Sequence, residues 1–250
     1  ENNYKIDLVE LENILNNIPK TTKKLMIFNN PNNPTGVVHT PKEVEELAKV
    51  LKNHNVIVFS DEIYANLAYI STVSISTYIP HLTIRGSSVS KDLGCGGYRL
   101  GWATFPEELG WFFDECHILS SSIYSCTTVP IQYAVASLLN DDDAVFQTIC
   151  KETKSTFKTV TEEICKYIDK DMVRYVPTQS AWYLFLNFDK YKDKLSKMSI
   201  TTSGELQEFL LKTYGIVSVA GTHFNVDGLN LRFSLVDLTI IKTESGLNMY

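Results

Sequence analysis

The sequence lacks the features that mark membrane-spanning and disulfide-bonded proteins. No apolar run approaches the roughly 20 residues that a bilayer-spanning helix needs. The first residues, Glu1 to Lys5, do not resemble a secretory signal peptide. The five cysteines are odd in number, scattered and without a Cys-x-x-Cys pair, which is typical of reduced thiols. We therefore expect a cytoplasmic protein with no membrane partner.

Histidine is scarce too, and there is no clustered basic stripe. The five histidines show no His-Glu-x-x-His spacing, so the sequence predicts no metal site. The formal net charge of -6 argues against a nucleic-acid surface, because such a surface depends on many lysine and arginine contacts to phosphates. We expect no nucleic-acid partner.

The chain is long and apolar enough to fold as one or two globular domains, since it has 250 residues and 44% hydrophobic content. Two apolar runs, residues 25–28 and 56–59, predict buried strands. Between them, Thr40, Pro41 and Glu43 predict the capped start of a helix. Its apolar positions repeat at helical spacing: Val44, Leu47, Ala48 and Leu51.

A strand, a crossover helix and a parallel strand form the repeating unit of a doubly wound sheet. Residues 82–84 and 100–105 extend this pattern, and residues 106–120 and 128–139 predict helices. The sequence therefore predicts an α/β fold with a three-layer, mostly parallel, doubly wound sheet. Ligands of such sheets bind at the carboxyl ends of the strands.

A second, smaller domain is predicted after the polar run Asn140–Asp143. A long helix is expected from there to about residue 167, followed by strands at residues 173–176, 181–188 and 229–235. Thr202 and Glu205 form a capping-box pattern for a helix that ends near Tyr214. We expect an α+β domain over residues 141–250 and the sheet domain over residues 1–140.

The segment from Ser88 to Trp102 concentrates the residues that carry chemistry. A lysine amine, such as that of Lys91, condenses with an aldehyde to a Schiff base, while serine hydroxyls and an arginine hold a phosphate. The glycines between Lys91 and Arg99 do not form a dinucleotide loop, because Arg99 stands where a third glycine is needed. Taken alone, Lys91 is weak evidence for catalysis, because most lysines are solvated surface charges.

Four separated motifs together give a more specific signal. They are Asn30-Pro31-Asn32-Asn33-Pro34-Thr35-Gly36, Ser60-Asp61-Glu62-Ile63-Tyr64, Ser88-Val89-Ser90-Lys91 with Arg99 eight residues on, and Leu231-Arg232-Phe233-Ser234. In this order the chain resembles the later part of a class I/II, fold-type I, pyridoxal-phosphate-dependent aminotransferase of the aspartate aminotransferase superfamily.

This resemblance implies that Lys91 carries pyridoxal 5'-phosphate as a Schiff base and then moves the substrate's α-proton. Asp61 is implied to pair with the pyridinium nitrogen, and Asn33 and Tyr64 to hydrogen-bond the phenolic oxygen. Without the resemblance, Asp61 is a helix N-cap, Asn33 a turn residue and Tyr64 a core aromatic.

The resemblance also implies the groups that hold the two anions of the reaction. Ser88, Ser90 and Arg99 stand where the family binds the cofactor phosphate, although Ser90 also fits a turn-shaping role. Arg232, with Asn33, matches the group that binds the substrate's α-carboxylate; alone, it fits a strand arginine that reaches water. Pro34 matches a proline that is often preceded by a cis bond.

The implied function is transamination between an amino acid and a 2-oxo acid, in a homodimer with active sites at the interface. A pyridoxal-phosphate-dependent carbon-sulfur lyase of the same fold shares every residue named above. A truncated or catalytically silent relative, acting as a structural or interaction module, is the other alternative. It arises because no counterpart of the family's upstream phosphate turn and ring-stacking aromatic precedes Leu25, so the family's amino-terminal part is expected to be missing.

Overall fold

The computed structural model of the chain describes residues 2–140, 145–236, 240–243 and 246–249. The chain divides into two compact units, Glu1–Asn32 with Val37–Ser155, and Asn33–Gly36 with Thr156–Tyr250. This division falls later in the chain than the expected boundary after residue 140. Most of the polar run that suggested the boundary, residues 141–143, lies outside the described residues.

A four-stranded sheet forms the centre of the first unit. Its strands lie in the order β1-β2-β3-β4, the first three are parallel, and the fourth is antiparallel to β3. They are β1 (Lys24–Asn29), β2 (Val56–Asp61), β3 (Thr83–Ser88) and β4 (Gly101–Thr104). The α/β fold and the mostly parallel sheet predicted from the sequence are thus confirmed. The expectation that residues 100–105 extend the parallel pattern is wrong for β4, because an apolar run marks a strand without its orientation.

Among the described residues, the α-helices that accompany this sheet are α1 (Leu8–Asn16), α2 (Pro41–Asn53), α3 (Gly110–Ile123), α4 (Val129–Leu139) and α5 (Val145–Cys165), of which α5 continues into the second unit. Helix α2 begins as predicted, since Thr40 Oγ1 accepts a bond from the N–H of Glu43 and the Glu43 carboxylate accepts one from the N–H of Thr40. Of the helices that the structure describes, none combines the length and apolar character that a bilayer crossing requires.

The core of the first unit lies between α1, α2 and one face of the sheet. Full burial of a large apolar side chain in such a core stabilises the fold by about 1.5–3 kcal/mol relative to leaving it exposed. Its buried members are Leu15, Phe28, Val44, Leu47, Ala48, Leu51, Val56, Val58, Ile75, Ile79 and Leu82. On the opposite face of β1, Leu25 and Ile27 are 53% and 72% exposed. The described residues therefore cover one face of β1 and leave the other open.

The second unit contains an antiparallel sheet in the order β5-β6-β8-β7. Its strands are β5 (Arg174–Tyr175), β6 (Tyr183–Asn187), β7 (Val219–Ala220) and β8 (Asn230–Ser234), and its short and long helices are α6 (Lys192–Ser196) and α7 (Ser203–Tyr214). The capping box of Thr202 and Glu205 is present at the start of α7. Two further strands, β9 (Ile240–Thr243) and β10 (Gly246–Met249), pair antiparallel. An antiparallel sheet with helices is the α+β arrangement that the sequence predicted.

The turn after β1 corrects one expectation. The cis peptide bond in the described backbone lies between Asn30 and Pro31, so the expected cis bond before Pro34 is wrong. Both prolines follow an asparagine, and the dipeptide alone cannot distinguish them. The cis bond is found in the tight reversal in which the Asn32 N–H donates to the carbonyl of Val37 at 3.0 Å.

Candidate active site

Asp61 lies at the carboxyl end of β2, where a doubly wound sheet places its ligands. Its Oδ2 accepts a bond of 3.0 Å from the Asn29 side-chain amide, and its Oδ1 accepts one of 3.3 Å from the Ile63 N–H. Burial raises the pKa of the Asp61 carboxyl, and these two hydrogen bonds oppose that rise only in part. The next helical turn, Ala65–Leu67, has Tyr64 at its start, so Asp61 is not the helix N-cap of the alternative interpretation.

Tyr64 stands three residues after Asp61 on the turn that follows β2. Its side chain is 3% exposed, and its carbonyl accepts a bond from the Leu67 N–H at 2.9 Å. The Glu62 N–H donates to the carbonyl of Gly86 at 2.9 Å, which ties the same turn to β3. Asp61 and Tyr64 are therefore presented by one short segment with fixed hydrogen bonds on both sides.

Lys91 follows the carboxyl end of β3. The buried Ser88 hydroxyl oxygen accepts a bond from the Ser90 N–H at 3.1 Å, which shapes the turn into Lys91. Lys91 is half-buried, and its ammonium takes part in no hydrogen bond or ion pair within the residues described. Gly94, with a φ of +64°, brings the chain back so that its N–H donates to the Lys91 carbonyl at 3.3 Å. The amine is therefore held in a defined turn and left available for chemistry.

Arg99 takes a left-handed backbone conformation, with φ of +55°, between the glycine loop and β4. Its Nη1 donates to the carbonyl of Gly96 at 2.8 Å, and its side chain is exposed. An open cavity of about 600 Å³ is lined by Arg99, Gly101, Tyr124, Cys126, Thr127 and Thr128. A guanidinium and several hydroxyls are donors that suit a phosphate. Ser88 and Ser90 do not line this cavity, although Ser88 pairs with Gly101 across β3 and β4.

The second unit brings Asn33 and Arg232 together, although 199 positions separate them in the chain. Arg232 Nη1 donates to Asn33 Oδ1 at 2.9 Å. The guanidinium also lies 4.8 Å and 5.2 Å from the ring centroids of Tyr183 and Phe224. Arg232 Nε is buried and has no hydrogen-bond partner among the described residues. Packing thus orients the side chain, and its Nε can still donate a hydrogen bond.

The segment that carries Asn33 is fixed to the small sheet by backbone contacts of Gly36. Its carbonyl accepts bonds from the Gln179 N–H at 2.9 Å and the Ser180 hydroxyl at 3.2 Å. Gly36 has a φ of +68°, and a Cβ there would lie 2.7 Å from Cγ2 of Thr178. Only glycine fits this position without strain, which explains why the asparagine and proline turn ends on it.

The family model described as aminotransferase class I and II matches residues 1–244 of the chain. The chain belongs to the class I and II aminotransferases. Enzymes of this family use pyridoxal phosphate, which agrees with the resemblance found in the four motifs.

Curated relatives within the family carry several substrate names. The chain is 27% identical over 244 residues to a probable aspartate/prephenate aminotransferase of Aquifex aeolicus. The aligned residues cover 94% of this chain and 58% of the relative. It is 29% identical over 247 residues to an aspartate aminotransferase of Sulfolobus acidocaldarius, and the alignment covers 96% of this chain and 58% of that relative. An aromatic-amino-acid aminotransferase 2 of Thermococcus litoralis is also 29% identical, covering 91% and 55%. The chain thus spans somewhat more than half the length of the aminotransferases it matches.

Solved aminotransferase structures share the fold. The aromatic aminotransferase of Pyrococcus horikoshii OT3 superimposes with a TM-score of 0.79 at 26% identity, over 93% of this chain and 59% of that one. A double mutant of Thermus thermophilus aspartate aminotransferase gives 0.77 at 23% identity, over 92% and 56%. The fold of this aminotransferase chain is therefore that of the corresponding part of those enzymes.

Two buried acids near the site were not singled out from the sequence. Glu62 is 9% exposed and pairs with Arg85, while Asp92, directly after Lys91, is 3% exposed. Asp92 accepts bonds from the Asn66 side-chain amide at 2.9 Å and the Leu93 N–H at 3.0 Å, and burial raises its pKa. The sequence signal that could have pointed to them was their position directly beside Asp61 and Lys91, but position in the sequence does not show that a side chain is buried.

Proposed function

We propose that the chain is part of a pyridoxal-phosphate-dependent transaminase, which moves an amino group between an amino acid and a 2-oxo acid. One observation carries this proposal: the half-buried amine of Lys91, unpaired among the described residues, follows the carboxyl end of β3, next to the strand that ends in Asp61. The family match over residues 1–244 supports it. We further propose residues 1–140 as part of the cofactor domain and residues 141–250 as the small domain.

The donor set of the first unit suits pyridoxal phosphate. Ser88, Ser90 and Arg99 would hold the phosphate, since a guanidinium offers paired donors and hydroxyls add neutral ones. Tyr64 would donate to the phenolic oxygen, a role that we also propose for Asn33 because of the motif resemblance. Asp61 suits a cationic ring nitrogen, because burial raises its pKa and a partner of opposite charge offsets the cost of ionising it.

Pyridoxal phosphate, when bound, supplies a ring that accepts the electron pair released at the substrate's α-carbon. Lys91 would be its covalent attachment point and, once released, the base that takes the α-proton on Nζ. Asp61 would hold the proton on the ring nitrogen through Oδ1 or Oδ2. The partly desolvated carboxylate of Asp61 suits that role, because a cationic partner offsets the cost of keeping it ionised.

Arg232 would bind the α-carboxylate of the substrate. Its guanidinium is already oriented by Asn33, Tyr183 and Phe224, which lowers the conformational entropy lost on binding. The buried Nε without a partner supports a site built for an anion, since such a donor is costly to leave unpaired. The substrates themselves are proposed only as amino acids and 2-oxo acids, because the relatives act on aspartate, aromatic and other substrates by name.

Two further parts of the proposal rest on family membership. Class I and II aminotransferases typically assemble as dimers, so we propose a homodimer. The carbon-sulfur lyase and the silent relative are not favoured, since the relatives are named as transaminases. The cytoplasmic location stays a prediction from the sequence.

Absorbance spectroscopy tests the proposed function. The chain mixed with pyridoxal phosphate should show a visible band that Lys91→Ala abolishes, and aspartate or an aromatic amino acid should convert it to the amine form. A 2-oxo acid released without ammonia identifies a transaminase, whereas released ammonia identifies the lyase. A wild-type chain that gives no band contradicts the proposal and favours the silent relative.

A further inference from the structure

A buried hydrogen-bond network surrounds the carboxylate of Glu62, the residue directly after Asp61. Its Oε1 accepts bonds from the hydroxyls of Ser60, at 3.0 Å, and Ser74. Its Oε2 accepts two bonds from Arg85, from Nε at 3.1 Å and from Nη2 at 2.9 Å. Both oxygens of this 9% exposed carboxylate are therefore doubly satisfied, which is what a buried charge requires.

The partners of Glu62 come from three parts of the first unit. Ser60 belongs to β2 and Arg85 to β3, while Ser74 caps the helical turn Ile75–Thr77 by accepting a bond from the Ser76 N–H. Glu62 thereby joins the neighbouring strands β2 and β3 to the segment that packs against them. Such a fully satisfied network fixes one backbone arrangement, because each alternative leaves a buried polar group unpaired.

The backbone held by Glu62 controls both of its functional neighbours. The next residue, Ile63, donates its N–H to Oδ1 of Asp61, so its orientation sets that of the carboxylate. The carbonyl of Glu62 accepts a bond from the Ala65 N–H at 2.9 Å, which closes the turn carrying Tyr64. A shift of Glu62 would therefore move Asp61 and Tyr64 together.

We propose that Glu62 is a positioning residue of the active site, whose carboxylate, clamped by Arg85, Ser60 and Ser74, orients Asp61 and Tyr64. The roles of Asp61 and Tyr64 in this inference rest on the proposed function, whereas the hydrogen bonds around Glu62 do not depend on it. Arg85 balances the negative charge that Glu62 places beside Asp61. Without that balance two neighbouring carboxylates would repel each other.

Amide hydrogen exchange of the chain without added cofactor tests the clamp. In Glu62→Ala, the Ile63 and Ala65 N–H groups should exchange roughly tenfold faster than in the wild type, while the core of α2 keeps its exchange rates. Ser74→Ala, which keeps both charges, should accelerate the same two groups by a smaller factor. A cavity of about 260 Å³ beside the network can admit water when Glu62 is truncated, which favours folding of the variant.

A matched variant separates positioning from charge. Glu46→Gln removes one negative charge from the partly exposed surface of α2 and should leave Ile63 and Ala65 unchanged. Glu62→Gln removes the same charge within the network, where it lies next to Asp61. Its expected result is a lower pKa of the Asp61 carboxyl in a carbon-detected NMR titration, because a neighbouring negative charge is lost and Arg85 is left in excess.

In the cofactor-loaded chain, Glu62→Gln should also move the pH midpoint of the visible band to lower pH, and Glu46→Gln should not. Unchanged exchange at Ile63 and Ala65 in both Glu62→Ala and Ser74→Ala would overturn the inference, as would acceleration spread evenly over the first unit. A wild-type chain without a visible band overturns the proposed function instead. The exchange measurement, made without cofactor, then still decides whether the clamp exists.

Discussion

The side-chain amide of Asn29 donates to Oδ2 of Asp61 at 3.0 Å, across the carboxyl ends of the neighbouring parallel strands β1 and β2. The register places the two residues directly opposite each other. Asp61 is thereby held from β1 on one side and from its own turn, through Ile63, on the other.

Replacing Asn29 with alanine should destabilise the chain by about 1.5 kcal/mol at pH 7, the lower end for a hydrogen bond to a charged group, because the pair is only partly buried. The cost should shrink as pH falls through the pKa of Asp61, because a neutral carboxyl is a weaker acceptor. Urea unfolding at several pH values measures this. Asn53→Ala, at the exposed end of α2, is the control and should show no such pH dependence.

Asp92 should make stability fall as pH rises. Burial raises its pKa in the folded chain, so between the ordinary pKa of 3.8 and the raised value the folded state binds more protons than the unfolded state. The unfolding free energy therefore decreases with pH across that window. In Asp92→Asn this decrease should be smaller than in the wild type, as measured by urea unfolding from pH 3.5 to 7, values chosen to bracket the window. An identical pH slope in both proteins would show that Asp92 ionises as freely as in water.

For His39 we expect the opposite pH dependence: the unfolding free energy should rise with pH. It is 6% exposed, its Nε2 accepts a bond from the Ile6 N–H, and burial lowers its pKa from 6.5 to about 4. Below pH 6.5 the unfolded state takes up a proton that the folded state refuses, so stability is lost as pH falls towards 4. The unfolding free energy of His39→Gln should fall less than that of the wild type over this range, by about 1–3 kcal/mol, in the same unfolding titration. Parallel curves for the two proteins would contradict the buried, neutral imidazole.

Arg232→Lys should impair substrate binding more than folding. A lysine cannot offer paired donors to a carboxylate, nor the planar contact that Arg232 makes with Tyr183 and Phe224. In a transamination assay kcat/KM for the amino acid should fall by about 100-fold. Arg174→Lys, on the edge strand β5, is the matched control and should keep the wild-type value. Equal losses in both variants would remove Arg232 from the substrate site.

Local chemistry explains which features the sequence could predict. The start of α2 depends on Thr40 and Glu43, three positions apart, and the capping box forms as expected. The buried face of that helix follows from apolar residues at helical spacing, and Val44, Leu47, Ala48 and Leu51 are all in the core. Strands β1 and β2 are continuous apolar runs with polar residues after them, as predicted, and Asp61 is the last residue of β2.

The remaining features depend on contacts between distant residues. The clamp on Glu62 needs Arg85 and Ser74, and neither shows a pattern that links it to Glu62. The contact between Asn33 and Arg232 spans nearly the whole chain. The family resemblance assigned these two residues to related roles, but the residues' own sequence neighbourhoods indicate only a turn and a strand.

The central claim is that Lys91 is the residue that carries the cofactor, and borohydride reduction tests it most directly. The chain is loaded with pyridoxal phosphate, reduced and digested, and its peptides are mapped by mass spectrometry, with Lys91→Arg as the variant and Lys151→Arg as the control. The account predicts the phosphopyridoxyl group on Lys91 in the wild type and the control, and its loss in Lys91→Arg. Labelling that is absent from Lys91, or that persists undiminished at other lysines in Lys91→Arg, would contradict it.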